Sequence, residues 1–171
     1  MVADEGSTRC AILVPGAPDP HILETVREGG WEVQYILLTH AHYDHTRGIP
    51  ALRPELPGVP VYVHPGDAKM PKPFFFIEEM GELTFIGDGQ HIPLGDVDLQ
   101  VITTPGHTAG SGTYLADGST LITGDTLFQG SMGRTDLPGG SYEAIMASLR
   151  RLARLPGDYR VLPGHMGEST L

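Results

Sequence analysis

Three histidines and one aspartate lie within six residues of one another, directly after an apolar run. The segment 39–48 reads Thr-His-Ala-His-Tyr-Asp-His-Thr-Arg-Gly and supplies His40, His42, Asp44 and His45. The preceding residues, 34–39, are largely β-branched and apolar, which predicts a buried strand that ends at this cluster. Sites in α/β folds form where such strands end. The sequence therefore predicts an α/β fold with a functional site at this strand end.

The spacing of these side chains indicates two metal sites. Side chains alternate in an extended backbone, so His40 and His42 point the same way and can bind one ion. Asp44 and His45 lie one turn further on and can bind a second ion beside it. Imidazole suits zinc and iron, and an added carboxylate is typical of hydrolytic or non-haem sites. A polar turn that is rich in histidine by chance is the alternative.

Three later strands also end in a small residue followed by a side chain that can bind metal. His107 follows Gly106, Asp125 follows Gly124, and His165 follows Gly164. A lone His or Asp at a strand end is usually structural. Four such ends that together supply five His and two Asp are hard to explain in that way. We therefore expect the four loops to meet along one rim of the fold.

The rest of the chain predicts further strands and two clear helices. The helices are expected over 21–27 and over 141–155, the second capped by Ser141. A meander of strands forming a second sheet is expected between residues 82 and 123, with hairpin turns at Asp88-Gly89, Gly95-Asp96 and Asp117-Gly118. The three consecutive phenylalanines are expected to pack in the core or, alternatively, to form one wall of a cleft; they are Phe74, Phe75 and Phe76.

Composition limits the class of protein. With 171 residues and 40% apolar content, the chain is expected to form one domain, 1–171. A net charge of −10 with eleven Lys and Arg argues against nucleic-acid binding. No run is long enough to predict a membrane span, and the acidic first residues predict no secretory signal. The single cysteine, Cys10, permits no internal disulfide, so we expect a cytoplasmic protein.

The four strand-end motifs, taken in order, resemble those of the metallo-β-lactamase superfamily. They are His40-Ala41-His42-Tyr43-Asp44-His45, Thr104-Pro105-Gly106-His107-Thr108, Gly124-Asp125-Thr126-Leu127-Phe128 and Pro163-Gly164-His165. The resemblance runs from about Ala11 to the end, and the chain looks most like single-domain glyoxalase II (hydroxyacylglutathione hydrolase) proteins. It implies a mixed α/β fold, a four-layer αββα sandwich, here shortened at both ends.

The resemblance also implies a role for each of the seven residues. The first metal would be bound by His40, His42 and His107. The second would be bound by Asp44, His45 and His165. Asp125 would bridge the two divalent ions, for which zinc is expected ahead of iron or manganese. A hydroxide held between the ions would attack the carbonyl of a thioester or ester, and Asp44 could accept a hydrogen bond from it.

Arg134 is the candidate substrate-binding residue, because glyoxalase II proteins have a basic residue here that contacts the glutathione carboxylate. The alternative is that Arg134 ties its loop to Asp136 or to the surroundings of the metal site. The chain departs from the family at Asp136 and Gly167, where glyoxalase II proteins have tyrosines, and at Val14, where an Asp is common. It also lacks the C-terminal helical domain that completes the glutathione site. A partly uncovered sheet edge at the short ends predicts a homodimer.

Three other activities compete with thioester hydrolysis. Persulfide dioxygenases resemble the same family and share the Gly-Arg-Thr-Asp run at 133–136, but they use one iron bound at the positions of His40, His107 and Asp125. Lactone or other ester hydrolysis is a further possibility, and a metal-binding scaffold without catalysis is another. A true β-lactamase is disfavoured because those enzymes usually carry export signals. A dinuclear thioesterase is the leading hypothesis.

Overall fold

The computed structural model describes residues 1–70, 75 and 80–171. Its strands, in chain order, are β1 (Val2–Ala3), β2 (Arg9–Leu13), β3 (Glu32–Leu37), β4 (Val61–Val63), β5 (Leu83–Phe85), β6 (His91–Leu94), β7 (Val97–Thr103), β8 (Gly112–Ala116), β9 (Thr120–Gly124), β10 (Arg160–Pro163) and β11 (Ser169–Thr170). Its helices are α1 (Pro20–Glu28), α2 (Tyr43–Thr46), α3 (Ile49–Leu52) and α4 (Tyr142–Leu152). The predictions for Phe74 and Phe76 lie outside the described residues.

The strands form two mixed sheets. The order in the first sheet is β1-β2-β3-β4-β5, and in the second it is β11-β10-β9-β8-β7-β6. In the first sheet β2 to β5 are parallel neighbours, and β1 runs antiparallel to β2. In the second sheet β9 and β10 are parallel, and the other described neighbours are antiparallel. The parallel pairs place several strand ends at one edge.

The predicted meander is wrong at its start. The strand β5 pairs with β4 in the first sheet, so the turn at Asp88-Gly89 leads from one sheet to the other and does not close a hairpin. The Asp88 side chain makes hydrogen bonds outside its own turn. Its Oδ1 accepts one from the Thr103 N–H at 2.8 Å and one from the Arg151 guanidinium at 2.7 Å. The turns at Gly95-Asp96 and Asp117-Gly118 do join antiparallel neighbours, as predicted.

The alternation of side chains along the strands builds the layers. In the first sheet Ala11 and Leu37 face the second sheet, whereas the adjacent Ile12 and Ile36 point outward. The residues buried between the sheets come from both of them, and include Leu94, Leu99, Val101, Tyr114 and Ile122. Burial of one such side chain contributes roughly 1.5–3 kcal/mol. The two sheets are therefore packed face to face.

Helices cover both outer faces. Ile22 of α1 and Ile49 of α3 pack on the outer face of the first sheet, together with Ile36. Leu152 of α4 packs on the outer face of the second sheet, against Leu121. The predicted αββα sandwich is therefore confirmed.

The helix α4 begins where the sequence predicts and ends earlier. The Ser141 hydroxyl accepts a hydrogen bond from the Ala144 N–H at 3.2 Å, which caps the first turn. Helical geometry stops at Leu152 instead of continuing to residue 155. The helix α1 spans Pro20–Glu28 and contains the predicted 21–27. Across the parts of the chain that the structure describes, no helix is long and apolar enough to cross a membrane.

Candidate metal centre

The segment that carries four of the candidate ligands is extended in its first part and helical in its second. His40 and His42 follow β3, and His42 has extended backbone angles (φ −62°, ψ 149°) just before the short helix α2. Asp44 and His45 lie within α2. The Thr46 hydroxyl donates a hydrogen bond to the His42 carbonyl at 3.1 Å and holds this turn. The extended part and the helical turn therefore present two sets of ligands, as the spacing predicts.

His40, His42 and His107 form what we call the first group. Their nearest ring nitrogens all lie within 4.8 Å of one another. His42 Nδ1 lies 2.9 Å from His107 Nε2. The rings meet edge to face, with centroids 4.7–4.9 Å apart, and all three side chains are buried. Phe75, which is also buried, packs on the His42 ring with the centroids 4.8 Å apart.

Asp44, His45 and His165 form the second group. His45 Nε2 lies 3.2 Å from His165 Nε2, and His165 Nε2 lies 3.4 Å from Asp44 Oδ2. His45 is buried, but the side chains of Asp44 and His165 are 40% and 50% exposed. The second group therefore faces solvent, whereas the first group is enclosed.

Asp125 lies between the two groups. Its Oδ2 is 3.5 Å from His107 Nε2 in the first group and 3.4 Å from His165 Nε2 in the second. Its Oδ1 is 3.4 Å from His45 Nε2. A Cβ at Gly164 would clash with the Asp125 carboxylate, so glycine is required for the loop to approach this closely. The carboxylate is placed where it can contact ions on both sides.

Hydrogen bonds from the surrounding loops orient the imidazoles. His107 Nδ1 lies 2.8 Å from the Arg134 carbonyl oxygen. Because a carbonyl only accepts, Nδ1 carries the proton, and the lone pair of His107 Nε2 faces the cluster. His40 Nδ1 similarly lies 3.2 Å from the Thr39 hydroxyl. Sequence analysis missed the Arg134 carbonyl, because a backbone group carries no side-chain signal.

The protonation states suit metal binding. Burial, together with the neighbouring imidazoles, places the pKa of His40 well below its ordinary value. Burial and the proximity of His107 lower the pKa of His42 to about 4. Burial would raise the pKa of Asp125, but interactions with His45 and His107 outweigh it and the pKa is lowered. The first two imidazoles are thus neutral and the carboxylate ionised at pH 7, as ligands must be.

The cluster fits a divalent metal better than it fits a network of hydrogen bonds. Within the described part of the chain, His40 Nε2 and Asp125 Oδ1 are buried and have no hydrogen-bond partner. A buried polar atom without a partner costs about 1–3 kcal/mol, and a bound ion would remove that cost. Imidazole nitrogens and carboxylate oxygens suit zinc, iron and similar ions. The structure thus brings all seven candidate ligands together.

A cleft of about 430 Å³ opens onto both groups. Tyr43, Phe128 and Leu137 line it, together with Arg134. The Arg134 guanidinium donates two hydrogen bonds to the Asp136 carboxylate, at 2.7 and 2.6 Å, and both side chains are exposed. The predicted alternative role for Arg134, a tie to Asp136, is thus observed at the mouth of the cleft. Cys10 is buried in β2 and does not line the cleft.

Sequence comparison identifies relatives over nearly the whole chain. The family model described as the metallo-beta-lactamase superfamily matches residues 4–165. The chain is 34% identical to the "Probable metallo-hydrolase YqgX" of Bacillus subtilis, over 99% of this chain and 84% of that protein. It is 33% identical to the hydroxyacylglutathione hydrolase of Klebsiella pneumoniae, over 96% of this chain but 60% of that protein.

Solved structures share the fold. TTHA1623, in a di-iron-bound form, is 35% identical with a TM-score of 0.77, over 92% of this chain and 82% of that chain. ETHE1 from Myxococcus xanthus is 26% identical with a TM-score of 0.83, over 99% of this chain and 72% of that chain. The fold, the grouped His and Asp side chains and the family match agree. The chain belongs to the metallo-beta-lactamase superfamily.

Proposed function

We propose that this protein is a dinuclear metal-dependent hydrolase that cleaves thioesters of the hydroxyacylglutathione type. The observation that carries the proposal is the position of Asp125, whose Oδ2 lies 3.5 Å from His107 and 3.4 Å from His165. A carboxylate between two groups of three ligands is suited to two ions that share it. All three ligands of the second group are present in this chain, which favours two bound ions over one.

The proposed metal ligands are the seven residues of the cluster. They are His40, His42, His107, Asp44, His45, His165 and Asp125. Two divalent ions bound there would supply Lewis acidity, which in favourable zinc sites lowers the pKa of water from about 15.7 to about 7. Zinc is the proposed metal, with iron or manganese as alternatives.

The side chains of the cluster supply orientation and proton handling. Because the rings of His40 and His42 are neutral, each has a nitrogen lone pair that can bind metal. The Arg134 carbonyl fixes the tautomer of His107. Asp44 is half-exposed and lines the cleft, so its carboxylate can accept a hydrogen bond from an attacking water. Asp44 and Asp125 are therefore the proposed catalytic carboxylates.

The cleft suggests how the substrate lies. Tyr43, Phe128 and Leu137 offer an apolar wall for the acyl chain, and Arg134 stands where a carboxylate of the thiol portion could bind. Guanidinium and carboxylate pair through two parallel hydrogen bonds, which is the geometry that Arg134 now makes with Asp136. A substrate carboxylate would have to replace Asp136 in that pair.

The relatives support the hydrolase class and leave one alternative open. A relative that matches 96% of this chain is a hydroxyacylglutathione hydrolase, and YqgX is described as a probable metallo-hydrolase. Persulfide dioxygenase is the second candidate, because the resemblance to that group includes the Gly-Arg-Thr-Asp run at 133–136. That activity would need one iron, held by His40, His107 and Asp125. Lactone hydrolysis remains a third candidate for the same cleft.

Metal analysis followed by two assays separates these candidates. Protein produced with zinc, iron and manganese available should contain two ions per chain and release free thiol from a hydroxyacyl thioester of glutathione. One iron per chain, with oxygen uptake on glutathione persulfide, would establish the dioxygenase instead. Two bound ions without release of thiol would exclude the thioesterase, and a lactone substrate would then be the next test.

The same assay tests the substrate anchor. Replacement Arg134→Ala should raise KM for the glutathione thioester and leave KM for a thioester of an uncharged thiol unchanged. Arg154→Ala, in the turn that follows α4 and outside the cleft, is the control. If both thioesters respond equally to Arg134→Ala, the residue does not bind the substrate carboxylate.

A further inference from the structure

A buried carboxylate outside the cluster contacts two of the loops that form it. Asp67 lies on the turn after β4 and is 0% exposed. It is not among the seven candidate ligands, and it does not line the cleft. A fully buried aspartate is rare in proteins unless its oxygens are paired, so its partners indicate what it holds.

Both carboxylate oxygens of Asp67 are used. Its Oδ2 accepts hydrogen bonds from the Ala41 N–H at 2.9 Å and from the Thr108 hydroxyl at 3.0 Å. Its Oδ1 accepts one from the Gly110 N–H at 2.7 Å. Ala41 stands between His40 and His42 in the chain, and Thr108 follows His107 directly. One side chain therefore joins the two loops that carry the whole first group.

The packing around this carboxylate is close. A Cβ at Gly110 would lie 2.6 Å from Asp67 Cγ, and one at Gly66 would lie 2.7 Å from the Ala109 carbonyl oxygen. The Thr108 hydroxyl also lies 2.8 Å from the Ser111 hydroxyl, which fixes its orientation. Neither loop can shift without disturbing the contact, so the distance between them is determined at Asp67.

The donors around Asp67 need an acceptor at each of its oxygens. Burial raises the pKa of Asp67, and the hydrogen bonds from Ala41, Thr108 and Gly110 offset that rise only in part. The two backbone N–H groups can only donate, so both need an acceptor. An asparagine would retain the shape but present its NH₂ group to one of these donors. The site is therefore built for a carboxylate.

We infer that Asp67 is a positioning residue that sets the separation of His42 and His107 and thereby the metal affinity of the first group. The inference rests on the metal site of the proposed function and does not depend on the substrate. The described hydrogen bonds of Asp67 reach none of Asp44, His45 and His165, so the second group should respond less.

The test compares two buried aspartates with the same kinds of donor. Asp4, which is also buried, accepts hydrogen bonds from the backbone N–H groups of Gly6 and Asp96 and from the Ser7 hydroxyl. It follows β1, which runs antiparallel to β2, so it lies at the opposite end of the first sheet from the cluster after β3. Metal-free wild type, Asp67→Asn and Asp4→Asn are titrated with zinc against a chelator. Asp67→Asn should weaken one binding step by about 10- to 100-fold, and Asp4→Asn should leave both steps unchanged.

A background variant assigns the affected step. In His165→Ala, which lacks a second-group ligand, Asp67→Asn should weaken the remaining step by the same factor. Equal losses in Asp67→Asn and Asp4→Asn, or wild-type zinc affinity in Asp67→Asn, would overturn the positioning role while leaving the metal site intact. A wild type that binds neither zinc nor iron nor manganese would overturn both proposals.

A milder variant keeps the test decisive if Asp67→Asn does not fold. Thr108→Val removes one hydroxyl donor and retains both backbone hydrogen bonds. It should weaken the first-group step by about 2- to 10-fold, the effect of losing one ordinary hydrogen bond. Unchanged zinc affinity in Thr108→Val would contradict the inference.

Discussion

The first and second groups contain the same number of ligands but are held in different ways. The rings of His40, His42 and His107 are buried and in mutual contact, and a loop carbonyl orients one of them. In the second group the side chains of Asp44 and His165 are 40% and 50% exposed. The first group is thus fixed by the core, whereas two of the three ligands of the second group are side chains that solvent reaches.

This difference predicts how tightly each group should bind its ion and how readily that ion should exchange. Ligands that are already ordered lose little conformational entropy on binding, so the first group should bind its ion more tightly. Exposed ligands must be ordered by the ion itself, and water competes for it. We therefore expect the second ion to exchange more readily and to lie nearer to incoming substrate.

Replacing the residue that belongs to both groups should have the largest effect. Asp125→Asn retains the size of the side chain but removes its charge, so both ions should be lost or weakened and the rate should fall by about 10²- to 10³-fold. Metal content and thioester turnover are measured together. Asp98→Asn, an exposed carboxylate paired with His91, is the control. A normal metal content in Asp125→Asn would show that the two groups do not share this ligand.

The enclosure of the first group should make the metal-free protein sensitive to acid. The pKa of His42 is 6.5 in an unperturbed chain and about 4 in the fold. As pH falls through this window, the unfolded chain binds a proton that the folded protein does not. The contribution of a neutral His42 to the free energy of unfolding is therefore fully present above about pH 6.5 and is lost as pH falls toward 4. After allowance for screening by solvent, the loss should be about 2 kcal/mol.

Denaturant unfolding of the metal-free protein between pH 7.5 and pH 4.5 measures this loss. His42→Gln should flatten the dependence of unfolding free energy on pH. His21→Gln, which changes an exposed histidine beside Glu24, should retain the wild-type dependence. If both variants retain it, His42 is not the source of the acid sensitivity.

Single-ligand variants of the two groups separate them directly. His165→Ala should reduce the affinity for one ion by about 10- to 100-fold and leave the metal-free stability nearly unchanged, because its ring is half exposed. His107→Ala should lower both the metal affinity and the metal-free stability. It leaves the Arg134 carbonyl without its donor, which should lower the free energy of unfolding by about 1–3 kcal/mol. Zinc titration and thermal unfolding provide the two measurements. Equal destabilisation by the two variants would remove the distinction between enclosed and exposed groups.

The parts of the cluster that could be predicted from the sequence are those encoded locally. Side-chain type and spacing place His40 and His42 on one face and Asp44 on the next turn, and apolar runs identify the strands that end there. The same reasoning predicts that the loops carrying Asp125 and His165 share an edge, because strand ends collect in an α/β sandwich.

The parts that could not be predicted depend on pairing between distant segments. The hydrogen bond from His107 to the Arg134 carbonyl and those to Asp67 join residues that are 26 to 43 positions apart. The strand β5 likewise pairs with β4 across a long connection. Turn chemistry around Asp88 is compatible with either sheet, so local pattern alone does not assign it.

The smallest expected effect lies beside the second group, where the backbone is strained. Val14 has φ +50°, a left-handed conformation that is unfavourable for a β-branched residue, and it borders a cavity of about 350 Å³ with Asp44 and His165. Asparagine tolerates this conformation, so Val14→Asn should raise the free energy of unfolding by about 1 kcal/mol. Val33→Asn, at a half-buried position of β3, should lower it. A loss of stability in Val14→Asn, measured by denaturant unfolding, would show that packing of the valine outweighs the strain on this side of the cluster.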